Sequence, residues 1–215
     1  MATRAVAFGW VMACATCGSV AADQPAGADF AGRSASAPAR AAVDWIVGRG
    51  DARDQPFAVV DKRSAQLFVF DSHGRLVGAA SALLGLAKGD SSAPGVGQRA
   101  ASFIAPQERT TPAGRFDAEP GHNLQREAIV WVDYAAAVAI HRLRPAPAAQ
   151  RRPDRLASAA ADERRITLGC IVVDPAFYDT VVAPTLGSRR GVVYVLPDSG
   201  DWRGWFERPR QDASL

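Results

Sequence analysis

Two side chains able to do covalent chemistry stand at the ends of strand-like runs. Cys170 follows Gly169 within Arg165–Pro175, and His141 closes the apolar run Ala-Val-Ala-Ile-His upstream of it. A cysteine nucleophile needs a base, and an imidazole within reach can take its proton. If the two runs form adjacent strands, His141 is the candidate base for Cys170. Backbone N–H groups around Gly169 and Cys170 could hold an oxyanion, and Thr167 could donate or accept a hydrogen bond there.

The elements that must position this pair are mostly strands. A helix is predicted after Asp174, which can serve as its N-cap with Pro175 in the first turn. The sequence therefore predicts a mostly β domain over about 57–197 with one or two short helices. The predicted strands are Phe57–Asp61, Gln66–Phe70, Leu76–Leu84, Ile129–Tyr134, Ala136–His141, Ile166–Ile171 and Gly191–Leu196.

The N-terminal residues have the pattern of a secretory signal. Arg4 precedes a short apolar stretch over Ala5–Ala15, and small residues around Ala21 and Ala22 suit cleavage. We predict a signal peptide over 1–22 and a secreted or periplasmic protein. Two alternatives stay open, namely a buried N-terminal helix and lipid attachment at Cys14.

Cleavage of that signal would remove Cys14 and Cys17 and leave Cys170 as the only cysteine. A single cysteine in an oxidising compartment has no partner in its own chain, so it is either buried and inert or reactive. An active site is expected to depress its pKa and make it react quickly with alkylating agents.

The regions that flank the predicted domain have a looser composition. Residues 23–56 are rich in Ala, Pro, Gly and Ser, which predicts a flexible leader with a short helix over Ala41–Val47. Residues 198–215 form a C-terminal tail whose aromatic residues could pack on the domain or remain mobile.

Charge favours contact with an anionic polymer but not with nucleic acid. The net charge of +3 is small and scattered. Seven arginines stand against three acidic residues in an insertion over 142–165, which is either a solvated loop or a lid that attracts an anionic substrate. No cluster of His, Cys, Asp and Glu has metal-ligand spacing, so we predict no metal and no cofactor. No segment is long and apolar enough to span a membrane.

Three motifs in order resemble the catalytic domain of the L,D-transpeptidase (YkuD-type) family. They are Thr111-Pro-Ala-Gly-Arg-Phe116, Ile140-His141 and Thr167-Leu-Gly-Cys-Ile171. The resemblance implies a β-sandwich-like assembly of mixed sheets with a site of cysteine, histidine and backbone carbonyl. It also implies that the cysteine attacks a peptidoglycan tetrapeptide stem, releases D-alanine, and passes the acyl group to an amine or to water.

Carried over to this chain, the resemblance makes Cys170 the nucleophile and His141 the base and acid. Thr167 and Gly169 would form the site. We assign substrate binding to three further residues, Arg142, Arg165 and Thr111.

The chain departs from the family pattern at three positions. Arg142 replaces the usual glycine after the histidine, Leu168 replaces a histidine or small polar residue, and Val172 replaces an arginine or asparagine. The alternative hypothesis is therefore a cell-wall-binding protein of the same fold that is catalytically weak or inactive. A generic secreted cysteine peptidase is disfavoured, because no peptidase-type sequence surrounds the cysteine.

Overall fold

The computed structural model of the protein describes Met1 and residues 30–208. The predicted signal peptide therefore lies outside the described residues from position 2 onward, as do residues 209–215 of the tail. The strands are β1 (Phe57–Asp61), β2 (Gln66–Phe70), β3 (Leu76–Ser81), β4 (Leu84–Gly85), β5 (Gly114–His122), β6 (Ala128–Asp133), β7 (Val138–Arg142), β8 (Arg165–Thr167), β9 (Ile171–Val173) and β10 (Gly191–Val195).

The described helices are few and mostly short. They are α1 (Ala37–Arg49), α2 (Arg152–Ala157), α3 (Pro175–Phe177), α4 (Ala183–Thr185) and α5 (Arg203–Phe206). A π-helical turn over Tyr178–Val182 joins α3 to α4. The predicted cap of α3 is confirmed, since the Asp174 carboxylate accepts hydrogen bonds from two backbone N–H groups of the first turn. Short 3₁₀ turns cover Val96–Gln98, Ala101–Phe103, Pro106–Glu108, Ala148–Gln150 and Ala161–Arg164.

Eight strands form one mixed sheet in the order β3-β2-β1-β10-β5-β6-β7-β9, and β4 pairs with β8 separately. Two neighbouring pairs in the large sheet are parallel, β1 with β10 and β7 with β9. The prediction of a mostly β fold with mixed sheets is confirmed.

Strand β5 connects the two halves of this sheet. Its first half, from Gly114 to Ala118, pairs with β10, and its second half, from Glu119 to His122, pairs with β6. The two halves of β5 thus have different neighbours, and this long strand joins the β3-β2-β1-β10 part of the sheet to the β6-β7-β9 part.

The core has two layers because the central strands are buried on both faces. Successive side chains of a strand point to opposite faces, so Ala58 and Val60 join one cluster while Phe57 and Val59 join the other. The first cluster also contains Ile140 of β7 and reaches β9. The elements that carry the candidate site are therefore rooted in this cluster.

The second cluster is covered by α1, which contains the short helix predicted over Ala41–Val47 but begins earlier, at Ala37, and packs on the domain instead of belonging to a flexible leader over 23–56. The Ser36 hydroxyl caps α1 by accepting a bond from the Ala39 N–H (3.1 Å), and Gly50 ends it in the left-handed conformation at φ 61°. Val43 and Ile46 are fully buried against the sheet. Despite the alanine-rich composition of this segment, which is typical of linkers, the segment forms a helix with one apolar face.

The first residues of the predicted tail also pack on this layer. Trp202 makes an edge-to-face contact with Trp45 of α1 at a centroid distance of 5.7 Å, and Phe206 is buried beside Tyr194. Of the two possibilities predicted for the tail, packing on the domain holds for the described residues up to 208.

Candidate active site

The tight turn between β8 and β9 carries the candidate nucleophile. The Thr167 hydroxyl donates to the Cys170 carbonyl oxygen (2.7 Å) and accepts from the Gly169 N–H (3.1 Å). One side chain thus closes the turn from both ends and fixes the direction of Cys170. The Gly169 N–H is consequently occupied, which disagrees with its expected part in an oxyanion hole. The N–H of Cys170 itself has no acceptor among the described hydrogen bonds outside the regular strands and helices.

Glycine is required at position 169 by the backbone that lies behind the turn. Its φ is 144°, and a Cβ atom there would lie 2.8 Å from the Thr110 carbonyl oxygen. The neighbouring Thr111 is fully buried, and its hydroxyl donates to the Gly169 carbonyl oxygen at 2.8 Å. The same hydroxyl accepts from the Gly85 N–H at 2.9 Å. Thr111, which we predicted to bind substrate, thus holds the turn that carries Cys170 through a buried hydrogen bond.

The parallel pairing of β7 with β9 brings the backbone segments that carry His141 and Cys170 next to each other. In this register Ile140 lies opposite Ile171 and His141 lies opposite Val172. Cys170 immediately precedes β9, and its Sγ lies 3.6 Å from the Ala137 carbonyl oxygen just before β7. The prediction that 136–141 and 166–171 are adjacent strands holds only in part. The second run is split by the turn over 168–170: β8 pairs with β4, and only β9, which begins after Cys170, pairs with β7.

The imidazole of His141 has a defined tautomer. Its Nδ1 lies 2.7 Å from the carbonyl oxygen of Arg142, and an oxygen of this kind can only accept. Nδ1 therefore carries the proton, and Nε2 carries the lone pair. Burial lowers the pKa of His141 to about 4, although the Arg142 carbonyl opposes this shift. The ring is neutral at neutral pH and can act as a base.

The Cys170 thiol is also neutral in this state. Burial raises its pKa, while a backbone hydrogen bond with Ala139 and the charges of Arg144 and Arg152 act in the opposite direction. This shift is opposite to the depressed pKa that sequence analysis expected of an active site. At rest the protein thus holds a neutral thiol at Cys170 and a neutral imidazole at His141, and not a thiolate with an imidazolium.

The insertion over 142–165 is anchored beside this pair. Arg164 is buried, and its guanidinium donates to the carbonyl oxygens of Ala65 (3.0 Å) and Ser158 (2.7 Å), which ties the end of the insertion to the β1–β2 turn. The insertion also contains helix α2, whose Leu156 is buried. Sequence analysis did not single out Arg144 and Arg152 as site residues, although the arginine excess of the insertion pointed to this segment.

Arg142 has partners of its own on the side of β7 that faces the α3–α4 segment. Its Nε donates to the Asp179 carboxylate at 2.7 Å, and its guanidinium lies 4.1 Å from the centroid of the Tyr178 ring. Its backbone carbonyl orients His141, so the side chain and the main chain of this residue serve different purposes. Contact between its side chain and substrate stays a prediction.

Arg165 belongs to a buried ionic network below the site. Its guanidinium pairs with Asp198, which also lies 3.4 Å from the ammonium group of Lys62. Lys62 is fully buried and donates to Asp90 (2.7 Å) and to the Thr111 carbonyl oxygen (2.9 Å). Despite its burial, Asp198 has a lowered pKa because the Gly89 N–H and these two cations stabilise the carboxylate. Substrate contact by Arg165 likewise stays a prediction.

The described residues lack both a metal-binding cluster and a membrane-spanning helix. Within residues 30–208 no group of three or more His, Cys, Asp and Glu side chains could hold a metal ion. In the same part of the chain no helix has both the length and the apolar character of a membrane span.

Comparison with known proteins gives solved structures alone. No protein-family model and no curated protein matches the chain. The catalytic domain of an Enterococcus faecium L,D-transpeptidase is 16% identical over 66% of this chain and 98% of its own, with a TM-score of 0.38. An L,D-transpeptidase from Xylanimonas cellulosilytica is 16% identical over 66% of this chain and 60% of its own, with a TM-score of 0.39.

The same comparison returns a protein described as determining helical cell shape, Pgp2 from Campylobacter jejuni. It is 12% identical over 74% of this chain and 56% of its own, with a TM-score of 0.43. The chain spans 50%, 58% and 60% of three of the longer L,D-transpeptidase structures that it matches.

Proposed function

We propose that this protein is a cysteine-dependent acyltransferase that acts on peptidoglycan stem peptides in the manner of an L,D-transpeptidase. One observation carries the proposal. The β7–β9 pairing brings the backbone segments of His141 and Cys170 next to each other, and the His141 Nδ1–H donates to the Arg142 carbonyl, which leaves Nε2 as the candidate base. The motif resemblance around Thr111, Thr167 and Cys170 supports the choice of substrate class.

The first half-reaction cleaves the bond before the terminal D-alanine. His141 Nε2 accepts the proton of the Cys170 thiol while the sulfur attacks the scissile carbonyl carbon. The Cys170 N–H stabilises the resulting oxyanion. As the C–N bond breaks, the imidazolium returns its proton to the amine, so D-alanine leaves and a thioester remains on Cys170.

The second half-reaction reverses these roles with a new nucleophile. An amine of a second stem attacks the thioester, the neutral imidazole takes the proton of that amine, and the thiol is released with a new cross-link formed. Water in place of the amine would give L,D-carboxypeptidase trimming. The predicted signal peptide supports the proposal that this chemistry takes place outside the cytoplasm, in contact with the cell wall.

A second candidate function is binding to the cell wall without efficient catalysis. It is favoured by the raised pKa of the thiol and by Val172, which is buried where the family has a polar residue. A buried valine cannot donate to substrate or stabilise a thiolate.

Release of D-alanine from a synthetic tetrapeptide stem separates the two candidates. The wild-type protein should release D-alanine, whereas Cys170→Ala should release none and His141→Gln should be slower by about 10²–10⁴-fold. Equal release by wild type and Cys170→Ala would overturn cysteine catalysis. Binding of the stem by all three proteins with no release by any would establish the binding-protein reading.

A further inference from the structure

A groove is formed by the insertion alone, and one of its wall residues, Leu143, packs with Cys170 against the same buried cluster. It has a volume of about 340 Å³ and is walled by both apolar and cationic side chains. Its walls include Leu143, Arg144, Pro147, Arg151, Arg152 and Pro153. The position and charge of this groove suit an anionic part of a ligand that reacts at the cysteine.

The arginines of this groove differ in their partners. Arg144 lies 2.6 Å from the Glu127 carboxylate, and Arg151 lies 3.0 Å from that of Asp154. Arg152 forms no ion pair with any described carboxylate, and its one hydrogen bond runs from Nε to the Gln150 amide oxygen at 2.6 Å. Its two terminal nitrogens therefore keep their donors for a ligand.

Arg152 is held close to the nucleophile by packing. Leu156 of α2 forms a buried cluster with Leu83 and Val172, and Cys170 packs against this cluster together with Leu143. Arg152 begins α2 and interacts electrostatically with both Cys170 and Arg144. The partial burial of Arg152 and the repulsion from Arg144 both disfavour the charged form of Arg152. A bound anion would offset both costs.

We infer that Arg152 is a specificity-determining residue that binds the terminal carboxylate of the donor peptide. This inference rests on the proposed function. During attack the scissile carbonyl must lie about 3–3.5 Å from the sulfur. The carboxylate carbon of a single departing residue is only two bonds beyond the scissile nitrogen, so it lies close to Cys170. Arg152 itself interacts electrostatically with Cys170. A planar guanidinium with two unused nitrogens can hold it through paired hydrogen bonds.

The inference predicts that the protein discriminates donor peptides by the position and charge of their C-terminal carboxylate. A donor with one residue after the scissile bond places its carboxylate at Arg152. A donor with two residues there, or with a terminal carboxamide, leaves the guanidinium without an anion. Wild-type kcat/KM should be about 10- to 100-fold higher for the free acid than for the carboxamide, the range expected of a charge-assisted pair.

The test compares the free acid and the carboxamide of one tetrapeptide in two formats. In turnover assays Arg152→Gln should bring the acid-to-amide ratio close to one, and Arg152→Lys should retain part of it because a point charge remains. Arg49→Gln removes the same charge from α1, whose buried side packs on the other core cluster, and should keep the wild-type ratio. Calorimetry with Cys170→Ala, alone and combined with Arg152→Gln, measures binding without chemistry.

Each outcome bears on one claim. Tighter binding of the acid by Cys170→Ala, abolished by Arg152→Gln, supports the subsite even if no turnover is seen. Turnover with an acid-to-amide ratio unchanged by Arg152→Gln overturns the subsite and leaves cysteine catalysis intact. Equal binding of acid and amide by Cys170→Ala also overturns it.

Discussion

The Thr111 hydroxyl donates a 2.8 Å hydrogen bond to the carbonyl oxygen of Gly169, the residue before the candidate nucleophile. Thr111 also accepts at its own carbonyl from the ammonium group of Lys62 at 2.9 Å. A continuous set of buried contacts thus runs from the ionic network to the turn that holds Cys170. We expect changes in this network to alter stability and site geometry together.

Replacement of Thr111 by valine tests the first of these contacts. Valine keeps the shape but removes the hydroxyl, which strands the Gly85 N–H and the Gly169 carbonyl in a buried place. We expect a loss of about 1–3 kcal/mol in the free energy of unfolding and a lower kcat/KM. Thr111→Ser should retain most of both, and a fully stable and active valine variant would contradict the assigned role.

Replacement of Lys62 by methionine tests the ionic network. The change leaves the partly buried carboxylates of Asp90 and Asp198 with Arg165 as their remaining nearby cation, so we expect a loss of about 3–5 kcal/mol. Lys88→Met breaks the exposed pair with Asp162 and should cost at most about 1 kcal/mol. Urea unfolding of both variants gives the comparison, and similar costs would contradict a structural role for Lys62.

The pH dependence of activity follows from the pKa directions of the pair. Because burial lowers the pKa of His141 to about 4, the base is neutral above that pH. The thiol keeps its proton to a higher pH than an ordinary cysteine. We therefore expect kcat/KM to form a broad plateau with an acid limb near pH 4, measured between pH 3.5 and 9. An acid limb near pH 6.5, the ordinary value for histidine, would contradict the buried imidazole.

The same shift has a consequence for stability. The folded state binds a proton at His141 less readily than the unfolded state, so unfolding takes up a proton between about pH 6.5 and 4. The stabilisation is present above pH 6.5 and is lost as pH falls through this window, by on the order of 3 kcal/mol in all. The difference in stability between wild type and His141→Gln should change with pH there, and a constant difference would count against the shift.

Helix α1 is expected to be part of the folded domain. Ile46 is 1% exposed, so Ile46→Ala should cost about 2–5 kcal/mol by opening a cavity against the sheet. The exposed Val47 offers a matched control, and Val47→Ala should change stability by less than about 0.5 kcal/mol. If both variants unfold at the wild-type urea concentration, α1 does not stabilise the domain.

The sequence predicted the elements that have strong local signals. Runs such as Phe57–Asp61 and Gln66–Phe70 contain apolar residues bounded by turn residues, and the structure has these strands with the same limits. The pairing of the run that ends at His141 with the chain after Cys170 was also predictable, but the break of the run 166–171 into β8 and β9 was not. The predicted helix over Ala41–Val47 is shorter than α1. The alanine and proline residues before it are typical of a linker, and the first turn of the helix was therefore not predicted.

Long-range partners left no comparable local signal. Lys62 follows a strand in what reads as an exposed turn, and only the fold brings Asp198 to it from the far end of the chain. Thr111 likewise looked like a substrate contact within a motif, and its hydrogen bond to Gly169 depends on a close approach of two loops. Residues that act by filling buried polar positions are therefore the hardest part of such a site to predict.

The central claim is that Cys170 carries the acyl group, and the intact mass of the protein tests it most directly. The mature protein would be mixed with a tetrapeptide donor and the reaction stopped with acid. The intact mass would then be measured by mass spectrometry for the wild type and for Cys170→Ala. We predict a wild-type adduct equal in mass to the donor minus D-alanine, with none on Cys170→Ala. An unmodified wild-type mass while the donor is being consumed, or the same adduct on both proteins, would contradict the account.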